Sequence, residues 1–262
     1  FIATNASQLT ASLTQIVSSI KEEMSVYASP SVPPNNENDI YSGDYMYLGL
    51  FKPAADFWPG NLKKYKLDAD HSMTPHLDAG GGISTSARSE WTTGGADGID
   101  VTKGGAAQQV NAMLEAIKNK PNDKSLRNVY TVIADNKGNI NKDLTDSQNG
   151  LWKDNPVITG AMLGVEQSQK QSTIEAIRQT PFGAVIHSVP TIAAYSTSSN
   201  VVFVGAQDGF LHAIDDNDGK ELWAFVMPEH LSTVKDAVKN TPNSGKWYVD
   251  GYISIRNIYG KK

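Results

Sequence analysis

The sequence predicts a mainly β chain with helical insertions: a partial β-propeller with one recognisable four-stranded blade, preceded by an N-terminal helix. Three observations predict it. First, residues 201–205, 210–215 and 221–226 are short apolar runs separated by Asp208-Gly209 and by Asp215-Asp216-Asn217-Asp218-Gly219. Asp-Gly supplies the positive φ that a tight antiparallel turn needs. Second, a fourth run, 188–195, lies just upstream, with Pro190 near its start, where a missing N–H is tolerated. Four short strands in succession joined by tight turns describe one propeller blade. Third, Leu9, Leu13, Ile16, Ile20 and Met24 recur at spacings of three and four, an apolar stripe of helical period.

That first helix opens on Asn5 with Gln8 three residues on, a capping-box pattern, and Lys21, Glu22 and Glu23 mark its wet side. Its single apolar face needs a partner to bury it. Residues 28–39 hold three prolines and three asparagines and read as a linker. The domain reading is therefore 1–28 for the helix, 29–39 for the linker and 40–262 for the β part. Within the β part, 45–51 (YMYLGLF) is a strand, 57–60 a turn carrying aromatics, and 61–67 (NLKKYKL) a second strand. Leu62, Tyr65 and Leu67 in that strand do not keep strict period two. Residues 68–86 and 94–105 read as glycine-rich loops, and 106–116 as a helix with Val110, Met113, Leu114 and Ile117 on one side. A strand is expected at 127–134, turned by Asn136-Lys137-Gly138, and two short helices at 155–180 around Gly160 and Gly164. After the blade, 229–238 reads as a surface helix with Leu231, Val234 and Val238 on one face, and 247–259 as a strand. One blade pattern is visible where a closed propeller needs at least four, so an open sheet edge is expected.

Composition narrows the function classes. Charged residues are 19% of the 262 and the formal net charge is -5, without the basic face of a nucleic-acid binder. No apolar run reaches the length of a membrane span. The chain opens at Phe1 and reads as a mature or cut piece of something longer. Cysteine is absent, which removes disulfides, zinc-thiolate sites and cysteine nucleophiles.

Candidate sites are few. Asp68, Asp70, His71, His76 and Asp78 cluster in DADHSMTPHLD, and imidazole with carboxylate can bind a divalent metal. The two histidines are five apart, which suits no helix face, so the cluster reads first as a polar loop and only second as a metal site. Calcium-loop spacing fails from Asp68, from Asp135 and by counting back from Gly219. His187 and His212 sit on blade strands and read as structural, since His187 and Ser188 point to opposite faces of a strand and form no nucleophile–base pair. Trp58 and Trp223 read as core. The Gly80-Gly81-Gly82 and Gly94-Gly95 loops match no phosphate-binding pattern. No catalytic and no cofactor-binding residue is assigned.

Six segments, in order, resemble the PilY/PilC family of type IV pilus biogenesis factors and pilus-tip adhesins. Residues 1–5 with their helix look like the end of a von Willebrand A-type domain. Residues 57–65 are similar to a W-x-G-x-L-x-x-Y entry into the propeller, 127–131 to R-x-I-Y-T, 186–190 to I-x-H-S-x-P, 204–213 to V-G-A-x-D-G-x-L-H-A, and 249–251 to V-D-G. The resemblance implies a non-enzymatic role in pilus biogenesis, tip adhesion or surface attachment. It further implies pilin or minor pilin partners, the remainder of a longer parent chain, host or abiotic surfaces as targets, and a cell-surface location reached through the periplasm or outer membrane. It implies no cofactor within this chain; calcium belongs to later blades of a longer parent. A quinoprotein-type dehydrogenase is the alternative, because Gly205 to Trp223 also fits G-x-x-D-G-x-L-x-A-x-D-x-x-T-G-x-x-L-W, with Asp218 at the Thr position. An envelope scaffold propeller shares the same repeat, and fold alone does not separate the three.

Overall fold

Two sheets share one core. A computed structural model of the chain describes residues 27–31, 44–54, 57–69, 72–120, 123–134, 138–141, 143–196, 199–239 and 248–256. Strands β1 (Tyr27–Ser31), β2 (Tyr45–Phe51) and β3 (Gly60–Lys66) form an antiparallel sheet in that order. Helix α1 is Gly105–Asn119. The second sheet has five strands, ordered β4-β8-β7-β6-β5, from β4 (Val129–Tyr130), β5 (Thr191–Ser196), β6 (Ser199–Gly205), β7 (Phe210–Asp215) and β8 (Glu221–Val226). Helix α2, Lys170–Arg178, precedes β5. The described residues are thus mainly β with two α-helices, and they form no closed barrel or propeller.

The predicted blade strands pair as an antiparallel meander, with His212 opposite Val204 on β6 and Ala224 on β8. Gly209 and Gly219 close the two turns with φ of 92° and 72°. In β3, Leu62 joins the core shared with Tyr47, Val202, Val204 and Ile214, whereas Tyr65 packs with Leu48 and Leu50 on the other side. A sheet covered on both faces does not need period two, which explains the irregular 61–67 pattern. α1 buries Ala106, Ala107, Val110, Leu114 and Ile117, close to its predicted stripe. Its N-terminus is served from β3: Asn61 Oδ1 accepts the Ala107 N–H, while Asn61 Nδ2 donates to the Val101 and Gly104 carbonyls.

Several elements differ from expectation. Residues 28–31, read as the start of the linker, belong to strand β1, which among the described residues pairs along one side only and so tolerates a proline. The 127–134 strand shrinks to β4, parallel to β8, with Tyr130 also bridged to Gly150 on its other side. The segment 155–180 holds one α-helix, preceded by 3-10 turns at Ala161–Leu163 and Gln167–Gln169. The 229–238 helix is instead two 3-10 turns, Pro228–His230 and Val234–Lys239. Leu231, Val234 and Ala237 are buried there at the spacing of three that a 3-10 turn eclipses. Residues 248–256 form no strand; they lie beside the meander through Thr191 Oγ1, which donates to the Ile253 carbonyl. The predicted N-terminal helix falls outside the described residues.

Candidate functional site: buried charges at the sheet junction

His212 is the centre of a fully buried polar cluster. Period two on β7 puts it on the same face as Phe210 and Ile214, so it folds inward with them. Phe182 stacks on the imidazole at 4.3 Å and Phe210 meets it edge-on at 5.8 Å. Nδ1 lies 2.7 Å from Glu221 Oε1 and Nε2 3.0 Å from Asp208 Oδ2. Asp208, in the β6–β7 turn, also accepts the Phe210 and Gly183 N–H groups at 3.0 and 2.7 Å. Glu221, at the start of β8, takes a two-point fork from Arg127, Nε to Oε2 at 2.7 Å and Nη2 to Oε1 at 3.0 Å. Arg127 Nη1 then donates to the carbonyls of Arg178 and Thr180 at the end of α2. The side chains of Arg127, Asp208, His212 and Glu221 are all 0% exposed.

Burial alone would lower the His212 pKa; the charge and hydrogen bond of Asp208, with those of Glu221, outweigh it and raise it to about 9. Burial alone would raise the Glu221 carboxyl; the Arg127 charge and the bonds from His212 and Arg127 bring it down to about 2. Charges this dry persist only because each is paired and hydrogen-bonded.

Adjacent lysines on β3 point to opposite faces and anchor two different parts of the chain. Lys63 Nζ reaches Asp97 Oδ2 at 3.0 Å and donates to the Asp97 and Gly98 carbonyls, tying down the loop that covers the first sheet. Burial lowers the Lys63 pKa. Asp97 is desolvated too, yet hydrogen bonds from Ser89, Thr92 and Lys63 hold its carboxyl below the usual range. Lys64 Nζ meets Asp216 Oδ1 at 2.8 Å, in the β7–β8 turn of the second sheet. Tyr47 donates its hydroxyl to the same Oδ1 at 2.6 Å, and the Trp91 indole donates to the Asp216 carbonyl. Burial, followed by the Asp216 charge, pushes the Tyr47 phenol up.

The predicted metal-binding loop is placed in part. Asp78 Oδ1 accepts the Gly80 and Gly82 N–H groups, Asp68 Oδ1 accepts the Ala69 N–H, and His76 Nε2 lies 2.7 Å from the Lys66 carbonyl. Asp70 and His71 lie outside the described residues. Among the described residues no group of three or more His, Asp or Glu is placed to hold a metal ion. His187, read as lying on a blade strand, precedes β5 and is surface-exposed, with Nδ1 2.6 Å from Asp250 Oδ2, while Ser188 accepts the Gly205 N–H. Trp58 and Trp223, expected in the core, are only half-buried: Trp58 stacks on Phe51 and Trp223 tilts against Phe203. Among the described residues the buried tryptophans are Trp91 and Trp152.

The sequence alone assigns no site role to Arg127, Glu221, Lys63, Lys64, Asp97 or Asp216, although Asp216 falls in the predicted 215–219 turn. A signal existed for some of them, since charged residues inside otherwise inward-facing strand patterns need buried partners.

Comparison with known proteins gives short local matches. One is 45% identical over 67 residues, 24% of this chain and 5% of the other, to a type IV pilus biogenesis factor PilY1 homolog from Xylella fastidiosa. Another is 35% identical over 75 residues, 28% of this chain and 11% of the other, to a 1-butanol dehydrogenase (quinone) from Thauera butanivorans. No protein-family model matches the chain, and no solved structure matches it. No helix among the described residues is long and apolar enough to cross a membrane.

Proposed function

We propose that the chain is part of a non-enzymatic component of type IV pilus biogenesis, pilus-tip adhesion or surface attachment, and that its meander is one blade of a partial β-propeller. The observation that carries the reading is the 45% identity to a pilus biogenesis factor. It is supported by the order in which pilus-family motifs fall along the chain. In this reading residues 40–262 are the start of the propeller and 1–28 the end of a preceding domain. The partners are pilin or minor pilin subunits and the remainder of a longer parent, at the cell surface. No cofactor belongs to this part.

The dehydrogenase reading rests on its own match, at 35% identity. The motif common to both readings has internal work to do here. Asp208 caps its turn, Gly209 takes the positive φ, and Ala213 is fully buried between neighbours. Such residues specify a blade, and a blade serves either activity.

The test is cosedimentation of the purified chain with isolated type IV pili, alongside a quinone reconstitution. Sedimentation with pili, and no alcohol-dependent dye reduction after adding pyrroloquinoline quinone and Ca²⁺, is the expected result. Alcohol oxidation by the reconstituted chain would transfer the assignment to the dehydrogenase.

A further inference from the structure

We propose that a proton on His212 acts as a clasp for the junction of the two sheets, and that its loss frees the β6–β7 turn from the 182–184 connection. The geometry sets the charge. Both ring nitrogens face carboxylate oxygens, at 2.7 and 3.0 Å, and a carboxylate oxygen only accepts. A neutral ring would turn a lone pair toward one of them. The charged groups facing the imidazole are Asp208 from the turn and Glu221 from β8, with Arg127 behind Glu221. Phe182 and Phe210 pack on the ring, and Val204 and Ala224 stand opposite it on the neighbouring strands. With the ring protonated the dry cluster is neutral overall. Without that proton the cluster carries one uncompensated negative charge: Glu221 keeps Arg127 as its cation, and Asp208 is left with N–H donors and no cation.

Asp208 is also where the blade meets the other sheet. Its Oδ2 accepts the Gly183 N–H, Gln207 donates its N–H to the Ala184 carbonyl, and Gly60 of β3 donates to the Phe182 carbonyl. The three backbones are stacked with no room between them. A Cβ on Gly183 would lie 2.4 Å from Asp208 N, and one on Gly60 would lie 1.8 Å from the Gly183 carbonyl oxygen. An anion seeking water at Asp208 therefore pulls on the contact that joins the blade to β3. The meander itself keeps its ladder, which no side-chain charge supplies.

The experiment is ¹⁵N NMR of the full chain labelled at histidine and glycine, titrated from about pH 7 to about pH 10.5. Two results are expected: both His212 ring nitrogens protonated at neutral pH, and the Gly183 amide losing its hydrogen-bonded shift and exchange protection as the ring deprotonates. His212→Gln should show the unprotected Gly183 amide already at neutral pH. If that variant does not fold, the wild-type titration decides alone. A neutral His212 ring at pH 7, or a ring that deprotonates while the Gly183 amide stays unchanged, would overturn the clasp.

Discussion

Gly209 has φ of 92°, and a Cβ there would meet Val234 Cγ2 at 2.7 Å, whereas Gly95 has open space around it. Gly209→Val therefore adds a steric clash to a left-handed backbone that costs a side chain roughly 1–2 kcal/mol. The variant is expected to melt several degrees below Gly95→Val, which should match the parent; equal melting temperatures would refute the turn assignment. Glu221 sets an acid limit. Its folded value of about 2 is depressed from 4.5, so its contribution is complete above 4.5 and is lost as pH falls toward 2. Urea denaturation of wild type and Glu221→Gln should show a large stability gap at neutral pH that narrows across that window. A gap independent of pH would mean that Glu221 acts through shape rather than charge.

Among elements, α1 depends on a cap from outside itself. Asn61 belongs to β3 and reaches the helix start across the Gly104-Gly105 bend, where a Cβ on Gly105 would lie 2.5 Å from Asn61 Oδ1. Asn61→Ala removes one acceptor for an orphan helix N–H and strips the Val101 and Gly104 carbonyls of a donor. A loss of about 1–2 kcal/mol is expected, with early exchange of the Ala107 amide as its local sign. Protection of that amide equal to wild type would show that the cap is replaceable. The helix was legible from its apolar spacing, because that signal is local. The 3-10 turns after β8 resemble a surface helix in sequence because Leu231 and Val234 fit both periods. What separates the two is the company of Ala237, buried one further step of three along.

For the whole molecule, Asp216 joins the sheets. It holds Lys64 and Tyr47 from the first sheet in a turn of the second. Asp216→Ala leaves a buried ammonium without its counter-ion, a change that typically costs about 3–5 kcal/mol. The expected outcome is a lower denaturation midpoint, and loss of a single cooperative transition if the sheets then unfold separately. An unchanged midpoint would mean that apolar contact through Leu62, Val202 and Ile214 suffices to join them.

The amino-acid pattern alone makes the four meander strands and their turns legible, because alternation and Asp-Gly chemistry act between near neighbours. It also carried the strand pair 45–51 and 61–67. Which charges go inside depends instead on partners far along the chain. Lys63 finds the Asp97–Gly98 loop 34 residues on, Arg127 finds Glu221 across 94, and Lys64 finds Asp216 across 152. A charge is buried only where a partner offsets its desolvation, and no pattern local to a lysine records where along the chain that partner stands.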